Sequence, residues 1–229
     1  MKKLFVSLFA LLAIGAATVS IPTSASAQDA KPGDPVAGQK KVDMCVGCHG
    51  IPGYKASFPE IYQVPKISGQ SAEYIVSALS AYKKGDRKHP SMRSIAATLT
   101  TQDMADVAAF YTQNGKSAGD AALPEALSTP PADVAALLQK GNCVSCHGAN
   151  LSKPIAGYPK LAGQHADYLY AALKAYQTTG SDLIGRNNAI MMGMAKPYTH
   201  AELKKLSAYI ASLPSELKTV EQAHFRFLP

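Results

Sequence analysis

"VDMCVGCHG" at residues 42–50 and "GNCVSCHGAN" at 141–150 hold all four cysteines of the chain, in two copies of Cys-x-x-Cys-His. Three chemistries use closely spaced cysteines in this way: a zinc site, a dithiol redox pair and covalent haem attachment. A structural zinc site takes four ligands. The pooled thiolates would supply them but would leave the histidine after each motif without a role. A thioredoxin-like dithiol needs a βαβ setting, and no alternating strand pattern surrounds either motif. Covalent attachment accounts for every residue of the pentapeptide. Cys45 and Cys48 add to the two vinyl groups of one haem, Cys143 and Cys146 to those of a second, and His49 and His147 bring an imidazole to each iron. Two covalently bound haem c groups are therefore expected.

The start of the chain places this chemistry. Lys2 and Lys3 precede an apolar stretch from Leu4 to about Val19, and Ala25-Ser26-Ala27 offers a small-residue cleavage site. This pattern reads as a cleaved signal peptide over residues 1–27, with export to the periplasm. Nothing later approaches 18 consecutive apolar residues, so no further span is expected. Lys2 and Lys3 leave with the signal, which lowers the formal charge from +7 to +5. Four haem propionates would bring the reduced protein to about +1. The basic pI of the full chain is thus no sign of nucleic-acid binding. A basic run, Lys83-Lys84 with Arg87-Lys88, remains a candidate for steering an acidic partner.

The repeat extends well past the motifs. "PKISGQSAEYIVSALSAYKKG" from Pro65 is matched by "PKLAGQHADYLYAALKAYQTTG" from Pro159. Tyr74, Ala78, Leu79 and Tyr82 recur as Tyr168, Ala172, Leu173 and Tyr176, at the spacing of one helical face. Thr100 with Asp103, and Thr199 with Glu202, are capping signatures that start a last helix in each half. Asp34-Pro35 opens a helix expected to lead into Cys45, and a helix over about 133–140 should precede Cys143. The expected organisation is an N-terminal domain over 28–115, a linker over 116–131 rich in glycine, proline and small residues, and a C-terminal domain over 132–229. Each unit has three main helices and is small enough that the haem forms much of its core.

Two tandem Cys-x-x-Cys-His units, each followed by Pro-Lys-x-x-Gly-Gln, a methionine region and an aromatic last helix, resemble the dihaem cytochromes c4 over nearly the whole mature chain. The resemblance implies an all-α fold. Two cytochrome c-type domains would be related by a pseudo-twofold axis, with the haem edges near their junction. It also implies that the carbonyls of Pro65 and Pro159 accept the second ring N–H of His49 and His147, with Pro59 a weaker competitor in the longer first loop. Gln70, Gln164, Tyr74 and Tyr168 are candidates for the propionates.

The sixth iron position calls for a soft thioether. Met92 stands in the right region of the first half, and Met191, Met192 and Met194 compete in the second. Met92 lies eight residues before Thr100 and Met191 eight before Thr199, which favours Met191. His89 is a rival for the first iron. With His49, Met92, His147 and Met191 as axial ligands, both irons are closed and the expected role is that of an electron carrier, not an enzyme. The resemblance implies transfer from a quinol-oxidising complex to a terminal oxidase, with peripheral association at the membrane surface. The alternatives are a haem subunit or a dihaem enzyme of sulfide or thiosulfate oxidation.

Overall fold

The computed structural model describes residues 31–116, 122–126 and 129–221. The signal segment, parts of the linker and the last eight residues of the C-terminal "EQAHFRFLP" lie outside the described residues. The first half contains α1 (Pro35–Gln39), α2 (Asp43–His49), α3 (Ala72–Lys84), α4 (Pro90–Ala97) and α5 (Thr101–Gln113). The second repeats the order with α6 (Ala132–Lys140), α7 (Val144–His147), α8 (Ala166–Gln177), α9 (Ala189–Ala195) and α10 (His200–Ala211). The architecture is all-α, with two cytochrome c-type units in tandem. Each unit has its own core. Val42, Val46, Ile75, Leu79, Met104, Val107 and Tyr111 form the first, and Leu137, Leu138, Leu169, Leu203, Leu206 and Ile210 the centre of the second.

Local chemistry sets the helix boundaries. Thr100 and Thr199 each accept the N3 amide while Asp103 and Glu202 reach back, so both expected capping boxes form. The helix expected to run from Pro35 into Cys45 is instead two helices, broken between Gln39 and Asp43. The first of them crosses α5 closely: a Cβ at Gly38 would stand 2.1 Å from the Asp106 carbonyl oxygen. The chain leaves that contact by a turn and starts again so that Val42 and Val46 enter the core. The segments bearing the methionines form the short helices α4 and α9.

The halves join through reciprocal contacts. Strand β3 (Arg87–Lys88) pairs antiparallel with β4 (Gly185–Arg186), which sets Arg87 opposite Arg186. A separate hairpin, β1 (Lys55–Ala56) with β2 (Tyr62–Gln63), occupies the longer first loop. From it, Glu60 pairs with Lys174 at 2.7 Å and the Gln63 amide donates to Asp167 at 2.9 Å. Beyond Leu213 the chain returns to the first half, where Lys218 N–H donates to the Ser68 carbonyl at 3.0 Å and Lys218 Nζ to the Gly115 carbonyl at 2.7 Å. The tail is thus a strap across both units.

Candidate haem centres

In the first half Cys45, Cys48 and His49 all lie on α2, one helical turn apart, so their side chains share a face. In the second, Cys143 stands at the N-cap of α7, with Cys146 and His147 on its single turn. All four thiols are free and half-buried. Burial pushes the Cys45 thiol up to about 11 and raises that of Cys143 as well.

The histidines are oriented from behind. His49 Nδ1 lies 2.8 Å from the Pro65 carbonyl oxygen and His147 Nδ1 lies 2.9 Å from that of Pro159. A carbonyl can only accept, so each Nδ1 carries the proton and each Nε2 keeps its lone pair for a metal. Burial lowers both imidazole pKa values, with the proline carbonyl opposing it, and this favours the neutral ring. Pro59 sits between the strands of the β1–β2 hairpin, away from this role.

Met92 lies in the first turn of α4, its amide donating to His89 Nδ1 at 3.3 Å. Met191 occupies the same place in α9, its amide donating to Asn188 Oδ1 at 3.0 Å. His89 is therefore an N-cap whose counterpart is an asparagine. Met92 and Cys45 pack against one core. Met191 and Met192 are half-buried, whereas Met194 is 45% exposed.

A cytochrome c family model matches residues 35–113 and again 131–214, one match per half. The chain is 34% identical to cytochrome c4 of Thiocapsa roseopersicina over 79% of its own length and 93% of that protein. The solved structure of reduced cytochrome c4 from Pseudomonas stutzeri superposes with a TM-score of 0.54 at 27% identity, covering 80% of this chain and all of that one. A thiosulfate dehydrogenase electron acceptor from Stutzerimonas stutzeri is 30% identical over 74% of this chain and 78% of its own. This chain belongs to the cytochrome c family, in its dihaem c4 group. It is a dihaem electron-transfer cytochrome, with haem c attached at Cys45/Cys48 and at Cys143/Cys146.

The junction between the c4 halves fits such groups. Arg87 is 9% exposed and donates to the Tyr74 and Tyr168 hydroxyls at 3.1 and 3.3 Å. Arg186 donates to the same Tyr168 hydroxyl at 3.0 Å. Tyr82 stacks under Arg87 at 4.6 Å and Tyr176 under Arg186 at 5.4 Å. Burial raises the Tyr168 phenol, but the two guanidiniums outweigh it and hold it down at about 8. Among the described residues neither arginine has a carboxylate within 4.0 Å, and Arg87 Nε is buried without a partner. A buried cation with a second, half-buried one beside it is costly without an anion. The haem carboxylates are anions of the right kind, and Arg87 and Arg186 are the residues that would hold them.

Several expectations are corrected here. Gln70 and Gln164 bond the backbone of the opposite half instead of standing free for propionates. Tyr74 and Tyr168 hydrogen-bond the junction arginines, while Leu79 of the same helical face enters its own core. The basic run loses two members as a steering patch. Arg87 is buried, and Lys88 Nζ donates to the Ser181 carbonyl, which leaves Lys83 and Lys84 exposed. Arg186 was missed, although the repeat carries its signal: Arg87 precedes Met92 by five residues, and Arg186 precedes Met191 by five.

Proposed function

We propose that this chain is a periplasmic c-type cytochrome that passes single electrons from a quinol-oxidising complex to a terminal oxidase, with His49–Met92 and His147–Met191 as the axial pairs. The observation that carries the reading is a repeated arrangement. In each half the ring of a histidine is fixed by a proline carbonyl, and a methionine opens a capped helix at the matching place in the repeat. Haem c supplies a one-electron iron couple when bound. His49 and His147 would each donate Nε2, and Met92 and Met191 would each close the remaining position. A closed iron cannot take substrate, and that separates a carrier from a dihaem enzyme. The N-terminal segment supports export, and exposed Lys83 and Lys84 are suited to an acidic partner.

The thiosulfate dehydrogenase electron acceptor among the relatives favours a second donor, in which electrons arrive from a thiosulfate-oxidising enzyme. Both versions are carriers, and one experiment addresses them together. The purified dihaem protein should be reduced by a quinol-oxidising complex and reoxidised by a terminal oxidase, with no sustained turnover of thiosulfate alone. Saturable thiosulfate oxidation by the isolated protein, or ready binding of carbon monoxide by its ferrous form, would overturn closed coordination. Fast reduction only in the presence of thiosulfate and a thiosulfate dehydrogenase would select the second donor. Met191→Ala should abolish the weak far-red sulfur–iron band of one haem, whereas Met194→Ala should leave it intact.

A further inference from the structure

The two glutamines of the Pro-Lys-x-x-Gly-Gln repeats are placed where neither half can use them alone. Lys66 N–H donates to Gln164 Oε1 at 2.9 Å, and Gln164 Nε2 donates back to the Lys66 carbonyl at 2.9 Å. Across the pseudo-twofold, Lys160 N–H donates to Gln70 Oε1 at 2.9 Å, and Gln70 Nε2 donates to the Lys160 carbonyl at 3.1 Å. Both glutamines are buried, Gln70 at 4% and Gln164 at 5% exposure. Each Oε1 also receives the N–H of the next residue, Ser71 or His165, at 3.0 Å. An atom that accepts two N–H groups must be the oxygen, so the amide orientation is determined. The lysine side chains tighten the same clamp, Lys66 Nζ on the Gly163 carbonyl at 2.6 Å and Lys160 Nζ on that of Gly69 at 2.8 Å.

The N–H of Lys66 and the carbonyl of Pro65 belong to one peptide group. That carbonyl is the partner of His49 Nδ1. A continuous chain therefore runs from Gln164 Oε1 through the Pro65–Lys66 amide to His49, and its twin runs from Gln70 Oε1 through the Pro159–Lys160 amide to His147. Accepting a hydrogen bond at one end of an amide while donating at the other polarises it, and the bonds strengthen one another. A stronger acceptor behind an imidazole makes its other nitrogen a more basic metal ligand.

We propose that Gln164 and Gln70 are crossed positioning residues: each half's glutamine sets the proximal histidine, and hence the reduction potential, of the haem in the other half. The proposal rests on His49 and His147 being the proximal ligands. A more basic imidazole stabilises the ferric state, so each intact clamp lowers the potential of the opposite centre.

The test uses the full-length dihaem protein and the variants Gln164→Met and Gln70→Met, which keep length and burial but remove both bonds. Potentials are read by spectroelectrochemical titration, with the hyperfine-shifted NMR signals of each haem assigned to its half. Gln164→Met should raise the potential of the haem on Cys45/Cys48 more than that of the other. Gln70→Met should do the reverse. Gln164→Asn keeps an amide but falls short of Lys66. As the milder variant, it should move the same haem in the same direction. A larger shift at the variant's own half, equal shifts at both haems, or no shift overturns the crossed assignment. Failure of the ligand assignment is separately visible, because the unmutated protein would then lack hyperfine-shifted ring signals from His49 and His147.

Discussion

The two halves share one plan but close it differently where the first helix meets the last. In the second half α6 lays Val134, Leu137 and Leu138 against Leu203, Leu206 and Ile210 of α10, an apolar seam. In the first half α1 has five residues, of which only Gly38 is buried, and a polar clamp replaces the leucines. Asp106, 4% exposed, accepts the Asp34 amide at 3.0 Å, Lys41 Nζ at 2.7 Å and Gln102 Nε2 at 2.9 Å. The corresponding position of the second half is Lys205, which turns outward to Asp133. One helix crossing can thus be sealed by apolar area or by a satisfied buried carboxylate. The two seals differ in what breaks them, because apolar area is indifferent to pH and a carboxylate is not.

The largest effect expected on this comparison is from Gly38→Ala. With 2.1 Å between the new Cβ and the Asp106 carbonyl oxygen, α1 must lift off α5 and carry the polar clamp with it. The first half should lose about 3 kcal/mol. Denaturant unfolding followed through NMR signals of each half would check this. An equal loss in the second half would show that the two units unfold as one.

Next comes Asp106→Ala, which strands the Asp34 amide and leaves the Lys41 ammonium with Asp103 alone. Its expected cost is about 2 kcal/mol, again confined to the first half. Acid should mimic it. The hydrogen bond from Lys41 holds Asp103 down at about 2, and the Asp34 amide, Lys41 and Gln102 hold Asp106 below the usual carboxylate range against its burial. Both carboxyls are depressed in the folded protein. Their contribution is therefore full above the unfolded pKa, near about 4, and is lost as pH falls through the folded values, about 2 for Asp103. Asp106→Ala should flatten that acid dependence. An unchanged acid profile would remove the clamp from the account.

The haem-bearing half of the design was the more legible in the sequence. Cys-x-x-Cys-His and its duplication are local signals, and the Pro65 and Pro159 carbonyls stand behind the histidines as the resemblance implies. The register that pairs Met92 with Met191 through Thr100 and Thr199 is matched by helix starts at His89 and Asn188. What local pattern could not carry was the junction. A periodic face of Tyr74, Ala78, Leu79 and Tyr82 looks the same whether it meets its own core or a neighbouring unit. Arg87 and Lys88 read as surface because part of what covers them, Tyr168, Arg186 and Ser181, comes from the other half. The break before Asp43 escaped notice for the same reason. It goes with a close approach to the α5 backbone, more than sixty residues downstream of Gly38.

The smallest effect isolates what the clamp adds over an ordinary ion pair. Lys205 and Asp133 touch at 2.5 Å, but their side chains are 59% and 54% exposed. Water competes for both groups, salt screens them, and holding two long side chains together costs entropy that offsets the attraction. The hydrogen bond from Lys205 does lower the Asp133 pKa, yet in the open that shift reflects a contact water can replace. Lys205→Ala should therefore leave the unfolding of the second half unchanged within error, at low and at physiological salt. The seam beneath it, built from Val134, Leu137 and Leu206, stays intact in that variant. A clear loss of stability in the second half would mean that its first and last helices are also joined electrostatically. The contrast between a polar seal and an apolar one would then fail at its simplest point.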